Sequence, residues 1–98
     1  MYEPPAVKSF VILGVTRAGR PFRPSDWAER LCGVMSGFRP PGRSADVRLT
    51  WSPYVRPEFR GGVRCVRVDA SLYDLDPMAY GFVAHFAADN DLQVVDES

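Results

Sequence analysis

The segment Phe10-Val11-Ile12-Leu13-Gly14-Val15 constrains the fold more than any other part of the chain. It is a continuous, largely β-branched apolar run. A strand with apolar residues on both faces needs cover on both, so the run predicts a central strand. The remaining pattern is arranged around it. Arg17-Ala18-Gly19-Arg20-Pro21 reads as a turn. Pro24-Ser25-Asp26 opens a helix, with Ser25 or Asp26 as cap and Glu29 at capping-box spacing from Asp26. Trp27, Leu31, Val34 and Met35 form its apolar stripe, and Gly37 is a stop.

Residues 37–46 are a polar loop punctuated by Pro and Gly. Val47, Leu49 and Trp51 alternate with Arg48, Thr50 and Ser52, which predicts a half-buried second strand. Pro53 and Pro57 flank Tyr54-Val55-Arg56. Proline cannot donate to a ladder, so this strand belongs at a sheet edge or ends there. Arg60-Gly61-Gly62 turns the chain into a third strand, Val63–Val68. Asp76-Pro77 starts a second helix, with a capping acid followed by proline at the first helical position. Met78, Phe82, His85 and Phe86, beside Ala79 and Val83, are expected to form its apolar face. Leu92-Gln93-Val94-Val95 is a short last strand.

The order β-α-β-β-α-β predicts an α+β, ferredoxin-like sandwich: a four-stranded, mainly antiparallel sheet with two helices on one face. Strands one and three then lie in the centre and strand two at an edge. Residues 1–7 read as a flexible arm and 8–98 as a single domain. A chain of 98 residues buries roughly 60–70% of its unfolded surface and needs no metal or disulfide to fold. No run reaches the roughly 18 apolar residues of a membrane helix, and the N-terminus lacks a signal-peptide pattern, so a cytoplasmic protein is expected. Cys32 and Cys65 stand far apart, in no metal-binding spacing, and read as small buried hydrophobes.

The net charge is zero, but its distribution is uneven. Residues 1–68 hold all 12 cations against five acids, whereas residues 69–98 hold seven acids and neither Lys nor Arg. The molecule is dipolar if these halves stay apart and locally neutral if they interleave.

Strand parity nominates one surface. With Val47, Leu49, Trp51 and Val55 facing the helices, Arg48, Tyr54 and Arg56 face away, joined by Arg67 from the third strand. Such a face suits protein contacts, homodimerisation or single-stranded nucleic acid, although the third strand lacks the aromatic pair of RNA-recognition strands. A second candidate is an anion site at Arg17, Arg20 and Arg23 before the first helix, unless Asp26 and Glu29 pair with those arginines. His85, the single histidine, is spaced to meet Asp89 on its own helix. Trp27 and Trp51 fall on core parity. No phosphate-binding loop, nucleophile elbow or metal cluster occurs, so neither catalytic residues nor cofactor are expected.

Three segments carry a family likeness: residues 22–31 (FRPSDWAERL), 52–57 (SPYVRP) and 86–94 (FAADNDLQV). Over nearly its whole length the chain resembles a family of small, functionally uncharacterised proteobacterial proteins. The resemblance implies a stand-alone bacterial domain and carries no catalytic residues with it. The composite expectation is a non-catalytic binding or regulatory module acting through protein contacts.

Overall fold

The computed structural model describes residues 7–38 and 51–97. In chain order the elements are β1 (Phe10–Thr16), α1 (Trp27–Val34), β2 (Val55–Arg60), β3 (Val63–Val68), α2 (Ser71–Leu75), α3 (Pro77–Asp89) and β4 (Leu92–Asp96). The sheet runs β2-β3-β1-β4 and every neighbouring pair is antiparallel. This is the strand order of a split βαβ domain, with β1 and β3 central as the apolar pattern requires. Residues 1–6 of the expected arm, and the part of the expected second strand that holds Val47, Arg48 and Leu49, lie outside the described residues.

The register sorts the side chains into two faces. Val55, Val68, Phe10 and Asp96 share one row, and Pro57, Val66, Ile12 and Val94 another row of the same parity. Phe10, Ile12, Val55, Val66 and Val68 pack with Trp27, Leu31 and Met35 near α1, Leu72 of α2, and Ala79, Val83 and Ala87 of α3 in one core. Alternate residues, among them Val11, Cys65, Arg56, Glu58 and Arg67, take the opposite face. Pro57 sits in β2, an edge strand, where a missing N–H is tolerated. Gly61 and Gly62 both have positive φ (56° and 79°), as a two-residue turn joining Arg60 to Val63 demands. Asp76 caps α3 by accepting from the backbone N–H of Met78 (3.0 Å) and Ala79 (3.3 Å), with Pro77 behind it.

Several expectations need correction. The buried stripe of α3 is Ala79, Val83 and Ala87, not the large residues. Small side chains let the helix lie close to the sheet, and Met78 (84% exposed), Phe82 and His85 turn outward. No bond joins His85 to Asp89 among the described residues. Val34 leaves the stripe of α1 and is 67% exposed, while Cys32 takes its place inside. Neither Ser25 nor Asp26 caps α1 through its side chain. The Asp26 carboxylate instead accepts from Arg30 Nε at 2.9 Å. Burial, with the nearby Glu29 charge, pushes the Cys32 thiol up to about 12, which fits an inert core residue.

The strand expected from residue 47 begins only at Val55 among the described residues. Ser52 is fully buried, donates from Oγ to the Phe38 carbonyl (2.6 Å), and accepts from Tyr54 N–H (3.0 Å). The chain therefore turns across Ser52–Val55, and the alternation does not run through the turn. Ser52 points inward rather than outward as a result. Tyr54 is half-buried and packs against the core instead of standing on the open face. Trp51 also packs against the core, as its parity predicts. Helix α2 carries no sequence signal strong enough to announce it, since five residues show no period.

Candidate functional site

Of the arginines nominated for the open face, Arg67 is already engaged, together with Arg60 beside it. Arg67 donates to Glu58 (3.2 Å) and Glu97 (2.9 Å), and Arg60 does the same (2.7 and 2.9 Å). Two guanidiniums and two carboxylates thus close a network across β2, β3 and the segment after β4. Arg56 is exposed on the same face, Tyr54 has left it for the core, and Arg48 is outside the described residues. Beneath this layer Val11 and Cys65 are fully buried, with Arg67 and Val95 flanking Val11 in register, and Leu13 and Glu58 flanking Cys65. Stems of long charged side chains commonly cover apolar sheet in this way.

The network perturbs its members. Hydrogen bonds from Arg60 hold the Glu97 carboxyl below the usual range. Burial pushes Glu58 up, but bonds from Arg60 and Arg67 outweigh it, and the net shift is downward. Burial raises the Cys65 thiol, with the Glu58 charge adding to it. A carboxylate whose folded pKa is depressed contributes stability above its unfolded value, near ~4.3, and loses it as pH falls through the folded value. Thermal melts from pH 7 to 2 are expected to show an acid limb beginning below that range. The double variant Glu58→Gln, Glu97→Gln should melt lower at neutral pH and show a shallower limb. An unchanged acid slope would show that the network does not carry it.

The two charge halves interleave. Lys8 meets Asp96 (3.6 Å), Arg17 meets Asp91 (3.7 Å), and Glu97 serves both Arg60 and Arg67. Lys8, Arg17, Arg60 and Arg67 of the first part are thereby neutralised locally by Asp96, Asp91 and Glu97 of the last, the outcome that interleaved halves imply. No local pattern announces these partners, because they meet only through the strand pairings.

The arginines before α1 do not form one cluster. Arg17 is held at Asp91, with its backbone N–H also donating to the Asp91 carbonyl at 2.8 Å. Arg20 sits exposed on the turn, where its backbone N–H donates to Thr16 Oγ1 (3.2 Å). Arg23 alone lines a pocket of about 350 Å³ between this turn, the start of α1 and the β2–β3 hairpin. Asp26 and Glu29 do not serve these three arginines. Asp26 takes Arg30, and Glu29 takes Arg64 of β3. The other Glu29 oxygen, Oε1, is buried without a hydrogen-bond partner.

Phe22, Ser25, Trp27, Phe59 and Arg64 also line the pocket. Its placement follows from β1. The strand ends in a turn that returns at Pro21, opposite Val15, and Phe22 N–H donates to the Gly14 carbonyl (2.9 Å). That brings the Phe22 ring edge-on to Trp27 (5.5 Å, 71°), while Trp27 stacks on Phe86 (6.0 Å, 15°). The Arg64 guanidinium lies over the Phe59 ring at 5.0 Å. Phe22, Phe59 and Arg64 were not singled out in the sequence. Phe22 lies in a turn and Phe59 on an edge strand, so neither stands out by periodicity.

The profile of a family described as a protein of unknown function (DUF3579) matches residues 6–97. The chain belongs to that family. A solution structure described as the first structural representative of its protein family is 41% identical to this DUF3579 member. It is matched over 98% of this chain and 84% of its own, with a TM-score of 0.76. Among curated proteins no sequence matches. Family membership thus establishes the fold of this DUF3579 protein without an activity, and function has to be argued from its surfaces. Among the described residues no helix is long and apolar enough to cross a membrane, and no group of three or more His, Cys, Asp or Glu is placed to hold a metal ion.

Proposed function

We propose that this protein is a non-catalytic binding module that works as a homodimer, two copies joined edge to edge along β4. The supporting observation is the contrast between the two sheet edges. The outer edge of β2 carries Pro57 among Arg56, Glu58 and Arg60, the devices with which proteins keep edge strands from pairing. The β4 edge has no proline, and it presents Val94 (46% exposed) and Val95 (40% exposed) on opposite faces.

The acids that bracket that edge do not guard it. Asp91, Asp96 and Glu97 are each matched by a cation of their own protomer. An antiparallel pairing of β4 with its own copy, centred on Val94, sets Gln93 opposite the partner's Val95. It continues the sheet to eight strands under two-fold symmetry. A second copy is the natural occupant because the surface is self-complementary at its apolar centre and charge-balanced at its ends.

The nucleic-acid reading has less support, since Arg67 is ion-paired and Tyr54 packs in the core. Free, buried Cys32 and Cys65 support a reducing, cytoplasmic setting for the module.

Sedimentation velocity provides the test. The wild-type chain is expected to populate a dimer at high micromolar concentration. Val94→Lys is expected to run as a monomer with little change in melting temperature, because the side chain is half-exposed. A wild-type chain that stays monomeric throughout the range would overturn the proposal.

A further inference from the structure

We infer that the pocket between the β1–α1 turn and the β2–β3 hairpin binds a small planar aromatic carboxylate. The inference is independent of the dimer, because no residue of β4 lines the pocket.

Three features carry it. The first is size. A volume of about 350 Å³ is at the lower end of small-molecule sites, enough for one or two fused rings and too small for a dinucleotide. The second is the walls. Phe22 and Trp27 form a fixed edge-on aromatic corner, and Phe59 stands opposite, largely exposed on an edge strand where it adds nothing to the core. The Arg64 guanidinium over Phe59, held by Glu29, keeps that ring in place as a stacking surface.

The third feature is the donor set. Trp27 is only 4% exposed, and its indole N–H has no acceptor among the described residues. A Cβ at Gly14 would stand 3.0 Å from the indole nitrogen, so the bare backbone there lets the ring lie close against β1. Ser25 supplies a hydroxyl at the same rim, and Arg23 supplies a guanidinium with no ion pair among the described residues. Arg64 is neutralised by Glu29, so the lining carries one unmatched positive charge. One carboxylate balances it, with its oxygens available to the forked donors of Arg23 and to the indole N–H.

The probe is naphthalene-2-carboxylate, followed by the indole N–H resonances in nitrogen–proton correlation spectra. Trp51→Phe assigns the signal of Trp27. Titration is expected to shift the Trp27 signal saturably. The neutral analogue 2-naphthol should bind about tenfold more weakly or worse. Arg23→Gln, at an exposed position that leaves the fold intact, should reduce naphthoate affinity by about the same factor and leave naphthol unchanged. Absence of a saturable shift at millimolar naphthoate overturns the inference. So does equal affinity for acid and alcohol that is indifferent to Arg23→Gln. Saturation by inorganic phosphate at equal concentration would overturn the aromatic requirement.

Discussion

Leu72→Ala is expected to destabilise the protein by roughly 2–5 kcal/mol, the range for removing a fully buried leucine side chain. For a chain of this size that lowers the melting temperature by more than ~10 °C. Leu72 is fully buried and is the only buried residue of α2, a helix of five residues. So short a helix cannot sustain itself, because nucleation costs more than one or two hydrogen bonds return. It is held instead by its surroundings. Ser71 N–H donates to Asp69 Oδ1 (2.8 Å), Ala70 N–H donates to Ser9 Oγ (2.8 Å), and the Leu72 side chain fills the core beneath. Truncation opens a cavity between α2, α3 and the sheet that backbone tied at both ends cannot close. Ser71→Ala is the control. Its side chain is exposed and its cost should stay within about 0.5 kcal/mol. Equilibrium denaturation of both variants decides the matter, and a Leu72→Ala cost below about 1 kcal/mol would mean that α2 is not anchored as described.

Gly14→Ala is expected to be nearly as damaging, at roughly 1–3 kcal/mol or more, although it adds one methyl group. A Cβ at Gly14 would stand 2.6 Å from the Arg64 carbonyl oxygen and 3.0 Å from Trp27 Nε1. Neither neighbour gives way easily. The carbonyl belongs to β3 inside the sheet, and the indole is clamped between Phe22 and Phe86. The position is also where the β1–β4 register shifts between Ile12 and Thr16, so the backbone there has already left regular pairing. The expected result is a lowered melting temperature with a displaced Trp27 indole resonance. A variant as stable as the parent would mean that β1 and β3 separate more freely than this close approach implies.

The candidate surfaces were legible in the sequence to different depths. The Asp76-Pro77 cap and the Gly61-Gly62 turn are local, and both stand where they were expected. Arg56 and Arg67 share the face that alternation assigned to them. Tyr54 does not, because alternation counted from Val47 cannot survive the Ser52–Val55 turn. Arg23 was singled out for its neighbours Arg17 and Arg20, yet the pocket it lines is completed by Phe59 and Arg64 from a distant hairpin.

What the chain's own order of residues determined is the class of fold: an apolar run that had to be central, an edge strand marked by proline, and a last helix begun at its Asp76-Pro77 cap. These follow from one- to four-residue periodicities and from backbone chemistry that acts within a turn. What only the tertiary structure decided is which charges meet and which faces stay bare. Arg64 finds Glu29 across 35 residues and Arg60 finds Glu97 across 37. The choice of Ala79, Val83 and Ala87 as the buried stripe of α3 depends on how closely that helix approaches the sheet. Electrostatic partners and helix rotation are set by strand register and interlayer distance, quantities that do not exist until the chain has closed on itself.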